Sequence, residues 1–226
     1  MSRSGAEPVT IAVDDTHSIS GLLWAPLRSR ACYLLAHGAG AGMTHPFMQA
    51  VAAELAERRI ATLRYQFPYM ERRAGRPDPP KLAHATVRAA AAQALHLAPA
   101  LPLFAGGKSF GGRMTSQTQA LSLLPGVCGL IFLGFPLHPA KRPSEERAQH
   151  LFEVRLPMLF LQGARDPLAD AEILASVAKQ LGGRASLRIF PHADHSFHVP
   201  ARTGRKDAEV RSEMLDALAD WIGKLI

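Results

Sequence analysis

The sequence predicts an α/β fold, with a mostly parallel sheet, an antiparallel start and helices on both faces. Short apolar runs alternate with helix-like segments almost to the end of the chain. Two of these runs, 127–136 and 157–163, are nearly continuous in apolar residues, as strands covered on both faces require. The length of 226 residues suffices for one substantial core but is short for two domains. We therefore expect a single domain over residues 1–226.

The strands are predicted from apolar runs bounded by turn residues. Residues 9–13 and 21–25 flank the polar stretch DDTHSIS, which predicts an antiparallel hairpin at the start of the fold. The remaining strands are predicted at 32–38, 60–65, 101–107, 127–136, 157–163 and 185–190. In open sheets of this class, binding sites form where the strands end and their loops emerge, so residues that directly follow strands deserve most weight.

The helices are predicted from apolar residues that recur on one face. Residues 46–59 carry Phe47, Val51 and Leu55 at four-residue spacing, and 82–98 are alanine-rich until Pro99 ends the helix. Another helix follows Ser109 through about Leu123, and a short polar helix is expected around 145–151. The last helix should bury the apolar face formed by Val210, Met214, Leu218, Ile222 and Leu225.

Composition indicates an ordinary soluble protein. The net charge of +7 comes mostly from scattered arginines, without charge blocks or interleaved aromatic residues, so nucleic-acid binding is not favoured. The chain has no apolar run of about 18 residues and no apolar segment near the N-terminus, so neither a membrane span nor a secretory signal is expected. Cys32 and Cys128 both lie in apolar runs and are expected to be buried thiols in a reducing, cytoplasmic compartment.

The stretch AGGKSFGGRM, residues 105–114, follows an apolar strand and precedes a helix. A phosphate-binding loop of the form G-x-x-x-x-G-K-[ST] would need its first glycine at Pro102, so that interpretation fails. The G-x-S-x-G pattern of a nucleophile elbow is satisfied by Gly107, Ser109 and Gly111. At such a strained turn a Cβ two residues before or after the serine would collide with neighbouring backbone. The pattern therefore predicts Ser109 as a nucleophile.

A serine nucleophile needs a general base and an orienting carboxylate, in the chain order Ser, Asp or Glu, His. Asp166 follows the strand at 157–163, and His195 follows the last strand, so both stand where the order requires them. Asp170 is an alternative to Asp166 that lies further toward the next helix. His192, Asp194, His195 and His198 are alternative metal ligands, but their spacing matches no standard zinc pattern.

The loop HGAGAGMTHP after the strand at 32–38 predicts part of an oxyanion hole. One backbone N–H should come from Phe110, directly after the nucleophile, and a second from Ala39, with Gly40 as the alternative. A dinucleotide-binding G-x-G-x-x-G motif would need its third glycine at Met43 and is therefore disfavoured.

The stretches HGAGAGMTHPFM, RYQFPYMERR, GGKSFGGRM, FLQGARDP and ADHSF together resemble the α/β-hydrolase superfamily. More narrowly, they resemble a family that includes a testis-expressed protein and a subunit of the non-specific-lethal chromatin complex, with dienelactone hydrolases as more distant relatives. The resemblance implies an α/β-hydrolase fold and places nucleophile, acid and base at Ser109, Asp166 and His195. It implies no particular substrate.

The expected activity is hydrolysis of a carboxylic ester or thioester of a small molecule, without cofactor or metal. Cleavage of an amide or peptide bond is the less favoured alternative. The alternatives are a non-catalytic interaction module on the same fold and a basic nucleic-acid binder. Lys108 is a candidate contact to the substrate. Four arginines of the segment that begins at residue 64 are candidates to bind an anionic group of the substrate: Arg64, Arg72, Arg73 and Arg76. The alternative is that this segment is only a solvated basic loop. The short connection 137–156 leaves no room for a large lid, so compact acyl groups are expected. The oligomeric state is left open.

Overall fold

The computed structural model describes residues 5–226, which form a sheet of eight strands flanked by helices. The strands are β1 Glu7–Ala12, β2 Ser18–Trp24, β3 Ala31–Ala36, β4 Ile60–Tyr65, β5 Leu103–Lys108, β6 Val127–Leu133, β7 Met158–Gly163 and β8 Ala185–Phe190. The α-helices are α1 Pro46–Glu57, α2 Pro68–Glu71, α3 Pro80–Leu97, α4 Phe110–Leu121, α5 Ala171–Leu181 and α6 Asp207–Gly223.

The sheet order is β1-β2-β4-β3-β5-β6-β7-β8. β1 pairs antiparallel with β2, and β2 pairs antiparallel with β4, whereas every pairing from β4 through β3 to β8 is parallel. The predicted antiparallel start and parallel remainder are therefore confirmed. The parallel strands bring their carboxyl ends to one edge of the sheet, and loops from β3, β5, β7 and β8 meet there.

Helices cover both faces of the sheet, as predicted. On one face the core includes apolar residues of α1 and α6, such as Val51 and Met214; on the other it includes residues of α3, α4 and α5, such as Val87, Met114 and Leu174. The central strands β3, β4 and β7 are buried along their whole length because both of their faces are covered.

Two details of the predicted core are wrong. Leu225 is exposed because α6 ends at Gly223, whereas the other four residues of the predicted apolar face are buried. Cys32 is buried, which raises the pKa of its thiol to about 12, but Cys128 is exposed. Successive strand residues point to opposite faces, and at the start of β6 only the face of Val127 is covered.

The connection between β6 and β7 is short and carries no large insertion. Its helical part is a 3₁₀-helix over Glu146–Glu153, close to the predicted polar helix at 145–151. Ala148 and Leu151 of this segment are buried, and the segment packs on α4. Among the helices of residues 5–226, none combines the length and apolar character that crossing a membrane would require.

Candidate active site

Ser109 stands between β5 and α4 with φ 50° and ψ −116°, a conformation that costs a non-glycine residue about 1–3 kcal/mol. The flanking glycines permit this turn. A Cβ on Gly107 would lie 2.2 Å from the carbonyl oxygen of Ala36, and one on Gly111 would lie 2.5 Å from the carbonyl oxygen of His37. The predicted steric reason for both glycines is confirmed, because each packs against the end of β3.

Asp166 and His195 meet at the carboxyl edge of the sheet. His195 Nδ1 lies 2.6 Å from Asp166 Oδ2, and the Asp166 side chain is fully buried. Gln162 Nε2 donates to the same oxygen at 2.5 Å, and the Leu168 N–H donates to Oδ1 at 2.8 Å. These donors fix the carboxylate. The buried carboxylate in turn holds a proton on Nδ1 of His195, which leaves its Nε2 able to accept one.

Ser109 and His195 border the same cavity of about 420 Å³. Its wall also includes the loop after β3, from Gly38 to Ala41, together with Lys108 and Ser196. The three residues of the predicted Ser–Asp–His order are thus brought to one place, two of them at the cavity surface and Asp166 behind His195.

The residues weighed as alternatives have other partners. Asp170 is the N-cap of α5 and accepts the N–H groups of Glu172 and Ile173 at 3.0 Å each. His198 is exposed, and its Nδ1 lies 2.8 Å from Asp207 Oδ2, which raises the pKa of the histidine. Within residues 5–226, His, Cys, Asp and Glu side chains form no group of three suited to a metal ion.

The loop after β3 is held in place by buried polar contacts. His37 Nε2 accepts the Phe67 N–H at 3.0 Å, and its Nδ1–H donates to the Gly38 carbonyl at 2.7 Å. Burial lowers the pKa of His37 to about 4, so the ring is neutral at pH 7, as the contact with Phe67 requires. Tyr69 Oη donates to the Ala39 carbonyl at 2.9 Å. These contacts fix the backbone on either side of Ala39, whose N–H is the candidate oxyanion donor.

The second candidate donor is the N–H of Phe110. Phe110 is the first residue of α4, where the amides have no carbonyl partner within the helix, and it borders a cavity together with Ser109. Its ring packs edge-to-face against Phe67 and Tyr69 with centroids 5.3 and 6.2 Å away. The two candidate donors are therefore supported by one aromatic cluster.

Arg64 and Arg72 do not reach the cavity beside Ser109 and His195, contrary to their prediction as substrate contacts. Arg64 is 3% exposed, and its Nη1 donates to the Met43 carbonyl at 3.0 Å. Arg72 Nη2 lies 2.7 Å from Asp78 Oδ1, and Asp78 Oδ2 accepts the Tyr69 N–H at 2.8 Å. Because β4 ends beneath the loop after β3, these arginines hold that loop and its support.

Of the other predicted substrate contacts, only Lys108 borders the cavity. Its Nζ donates to the His195 carbonyl at 2.6 Å, and burial lowers its pKa to about 8. The lysine therefore ties the residue before Ser109 to the loop that carries His195. Arg73 and Arg76 are exposed and do not border this cavity.

A second cavity, of about 450 Å³, also reaches Ser109, from the side of α4. Its wall includes Phe110 and the arginines Arg113 and Arg147. Neither arginine is among the site residues predicted from the sequence. Arg113 lies four residues after Ser109, one turn along the helix, but that spacing does not show that its side chain faces a cavity.

These features define the class of protein. Residues 29–223 match the family model of the α/β-hydrolase domain, and the chain belongs to this family. The structure resembles a dienelactone hydrolase from Anabaena variabilis, with 21% identity, 98% of each chain covered and a TM-score of 0.76. It also resembles an α/β serine hydrolase homologue from Coxiella burnetii, with 20% identity, coverage of 96% of this chain and 98% of the other, and a TM-score of 0.75.

A third similar structure is an α/β serine hydrolase without lid from Xanthomonas campestris, with 21% identity and a TM-score of 0.72. The match covers 96% of this chain and 95% of that one. At these identities the likeness shows the fold. Together with the family match, it makes this protein an α/β hydrolase.

Proposed function

We propose that the protein is a serine hydrolase that cleaves carboxylic ester or thioester bonds of small or compact acyl substrates. One observation carries the proposal: Ser109, on a strained strand-to-helix turn, borders the same cavity as His195, whose Nδ1 is 2.6 Å from a buried carboxylate. A serine hydroxyl needs an adjacent base to become a nucleophile, and an oriented imidazole supplies that base.

In the proposed reaction, Ser109 Oγ attacks the carbonyl carbon of the substrate while His195 Nε2 takes the hydroxyl proton. Collapse of the tetrahedral intermediate breaks the bond to the alkoxide or thiolate, which receives that proton from His195. A water molecule then attacks the acyl-enzyme, again losing its proton to His195, and releases the acid and the free serine. Asp166 stays ionised throughout and stabilises the imidazolium.

The negative charge of the intermediate needs donors that are already in place. The Phe110 and Ala39 amides are the proposed pair, because one opens α4 and the other lies in a loop fixed by Tyr69 and His37. Each such donor contributes about 10²–10³ in turnover where it has been removed from related sites.

The direct test is covalent labelling with a fluorophosphonate. Intact mass should show one adduct per chain, which is lost in Ser109→Ala. Ser196→Ala is the matched control because Ser196 borders the same cavity, and it should be labelled like the parent protein. An adduct that persists in Ser109→Ala would overturn the assignment. A parent protein that is never labelled would favour a non-catalytic interaction module on this fold.

The size of the substrate is tested with p-nitrophenyl esters of increasing chain length. The short connection after β6 offers no extended apolar cover, so a long acyl chain forgoes about 0.8 kcal/mol for each CH₂ that stays in water. We expect kcat/KM to peak at short chains and to fall well before palmitate. A maximum at long chains, or a rate jump above the critical micelle concentration, would contradict a compact, open site. A parallel thioester series separates the two bond types.

A further inference from the structure

Arg113 and Arg147 border the cavity on the α4 side of Ser109. The Arg113 N–H donates to the Ser109 carbonyl at 3.1 Å, so Arg113 begins the next turn of the helix after the nucleophile. Side chains on a helix lean toward its N-terminus, which directs the Arg113 side chain back toward Ser109. Arg147 reaches the same cavity from the 3₁₀-helix Glu146–Glu153.

Neither guanidinium has a partner among residues 5–226. Four other arginines in that range, Arg58, Arg72, Arg205 and Arg211, each pair with a carboxylate. In contrast, Arg113 and Arg147 make neither an ion pair nor a side-chain hydrogen bond there, and Arg113 Nε is buried without an acceptor. A buried donor that stays unsatisfied costs about 1–3 kcal/mol, so its retention calls for an explanation.

The carboxylates nearest to this cavity do not supply the missing charge. Asp78 borders it, but both of its oxygens are taken, one by Arg72 and one by the Tyr69 N–H. Glu146 borders only an outer cavity of about 710 Å³, which Arg113 and Arg147 also line, and it forms no ion pair with either arginine.

The charges of Arg113 and Arg147 affect the pKa values of neighbouring groups. Burial, together with the nearby charge of Arg147, lowers the pKa of Arg113. Burial, reinforced by the charge of Arg113, also lowers the pKa of His150, to about 4. An anion in the cavity would relieve this repulsion.

We propose that Arg113 and Arg147 form an anion-binding subsite. It binds a carboxylate or phosphate group of the substrate while the acyl carbon of the substrate lies at Ser109. This inference rests on the proposed function and names the substrate class: acyl groups with a terminal anion. Guanidinium groups bind both oxyanions through paired, charge-assisted hydrogen bonds. Because Ser109 and Arg113 border one cavity and lie one helical turn apart, the proposal is tested with acyl groups of about six carbons.

The test compares matched p-nitrophenyl esters of hexanoate, adipate and 5-phosphonopentanoate, which differ in their terminal group. In the parent protein, kcat/KM should be higher for an anionic ester than for hexanoate, and the preferred anion identifies the oxyanion. Arg113→Gln and Arg147→Gln should each lower this ratio by about 10- to 100-fold, as expected when a hydrogen bond to a charged group is lost. The second variant keeps the test valid if the first fails to fold.

Arg76→Gln is the control, since it removes the same charge from an exposed position that lines neither cavity. The ratio should stay as in the parent protein. An equal fall in Arg76→Gln would indicate general attraction by the net positive charge and would overturn the subsite. A parent protein that cleaves all three esters equally would also overturn it while leaving the proposed function intact. A protein that cleaves none and takes no fluorophosphonate would refute the proposed function itself.

Discussion

Two regions flank Ser109, and they differ in how their polar groups are satisfied. On the side of β3 and β4, the loop 38–43 is held by hydrogen bonds within the protein, and Arg64 and Arg72 beneath it each have an acceptor, although Arg64 Nε is buried without one. On the side of α4, Arg113 and Arg147 face a cavity without a partner in the described residues. In the proposed reaction the anchored side holds the backbone donors in place, and in the proposed subsite the open side binds an anionic group of the substrate.

The largest expected effect comes from His195, which lies between the two sides. His195→Ala should lower turnover by about 10³-fold or more, because the residues of the proposed triad should act as a unit. His192→Ala and His198→Ala remove exposed imidazoles nearby and should lose far less activity on the same ester. If His198→Ala proves the most damaging of the three, the base has been placed on the wrong residue.

Lowering the pH should reduce the free energy of unfolding through His37, which holds the loop on the anchored side. The pKa of His37 falls from 6.5 to about 4 on folding, so the unfolded chain binds more protons between these values and stability is lost as the pH falls through them. His37 alone should cost about 3 kcal/mol of unfolding free energy between pH 7 and 4. Urea unfolding at both pH values should show a smaller loss for His37→Gln than for the parent protein. The exposed His96→Gln is the matched control, and an equal loss in both variants would contradict this role.

A finer test of the anchored side removes one hydroxyl. Tyr69→Phe deletes the bond to the Ala39 carbonyl but keeps the ring that packs on Phe110. Loosening the loop should lower kcat by about fivefold, in line with a lost hydrogen bond of about 1 kcal/mol, with little change in KM. A change confined to KM would mean that Tyr69 acts on substrate binding instead.

The smallest effect is expected from an arginine of the anchored side. Arg72→Gln should change the preference for anionic over neutral esters less than about twofold, because its guanidinium is engaged by Asp78 and does not line the main cavity. The measurement is the same ratio of kcat/KM used for Arg147→Gln. If Arg72→Gln lowers the ratio as much as Arg147→Gln does, the distinction between the two sides fails.

The fold and the elbow were predictable because their evidence is local. Apolar runs define the strands, and the glycines around Ser109 follow from a turn whose neighbours are fixed by the parallel sheet. The order of Asp166 and His195 after successive strands was equally visible. Cys128 was misjudged because an apolar run does not reveal where the covering helices end.

The roles of the arginines were not predictable from local pattern. Arg64 and Arg72 follow the right strand, but whether they point into the site or under a loop depends on how residues 38–43 fold over β4. Arg113 looked like an ordinary polar residue of α4. Only the packing of the segment around Arg147 against that helix shows that the two share a cavity.

The exposed thiol of Cys128 makes the protein convenient for fluorescence work. Cys32 is buried, and its raised pKa disfavours the reactive thiolate, so a maleimide dye should attach at one position without any cysteine being replaced. Cys128 lies five residues before the end of β6 at Leu133, which puts the dye about 17 Å from the carboxyl edge of the sheet, opposite the site. A quencher carried by an acyl-enzyme adduct would then report occupancy of Ser109 in real time, from a reporter that touches neither side of the nucleophile.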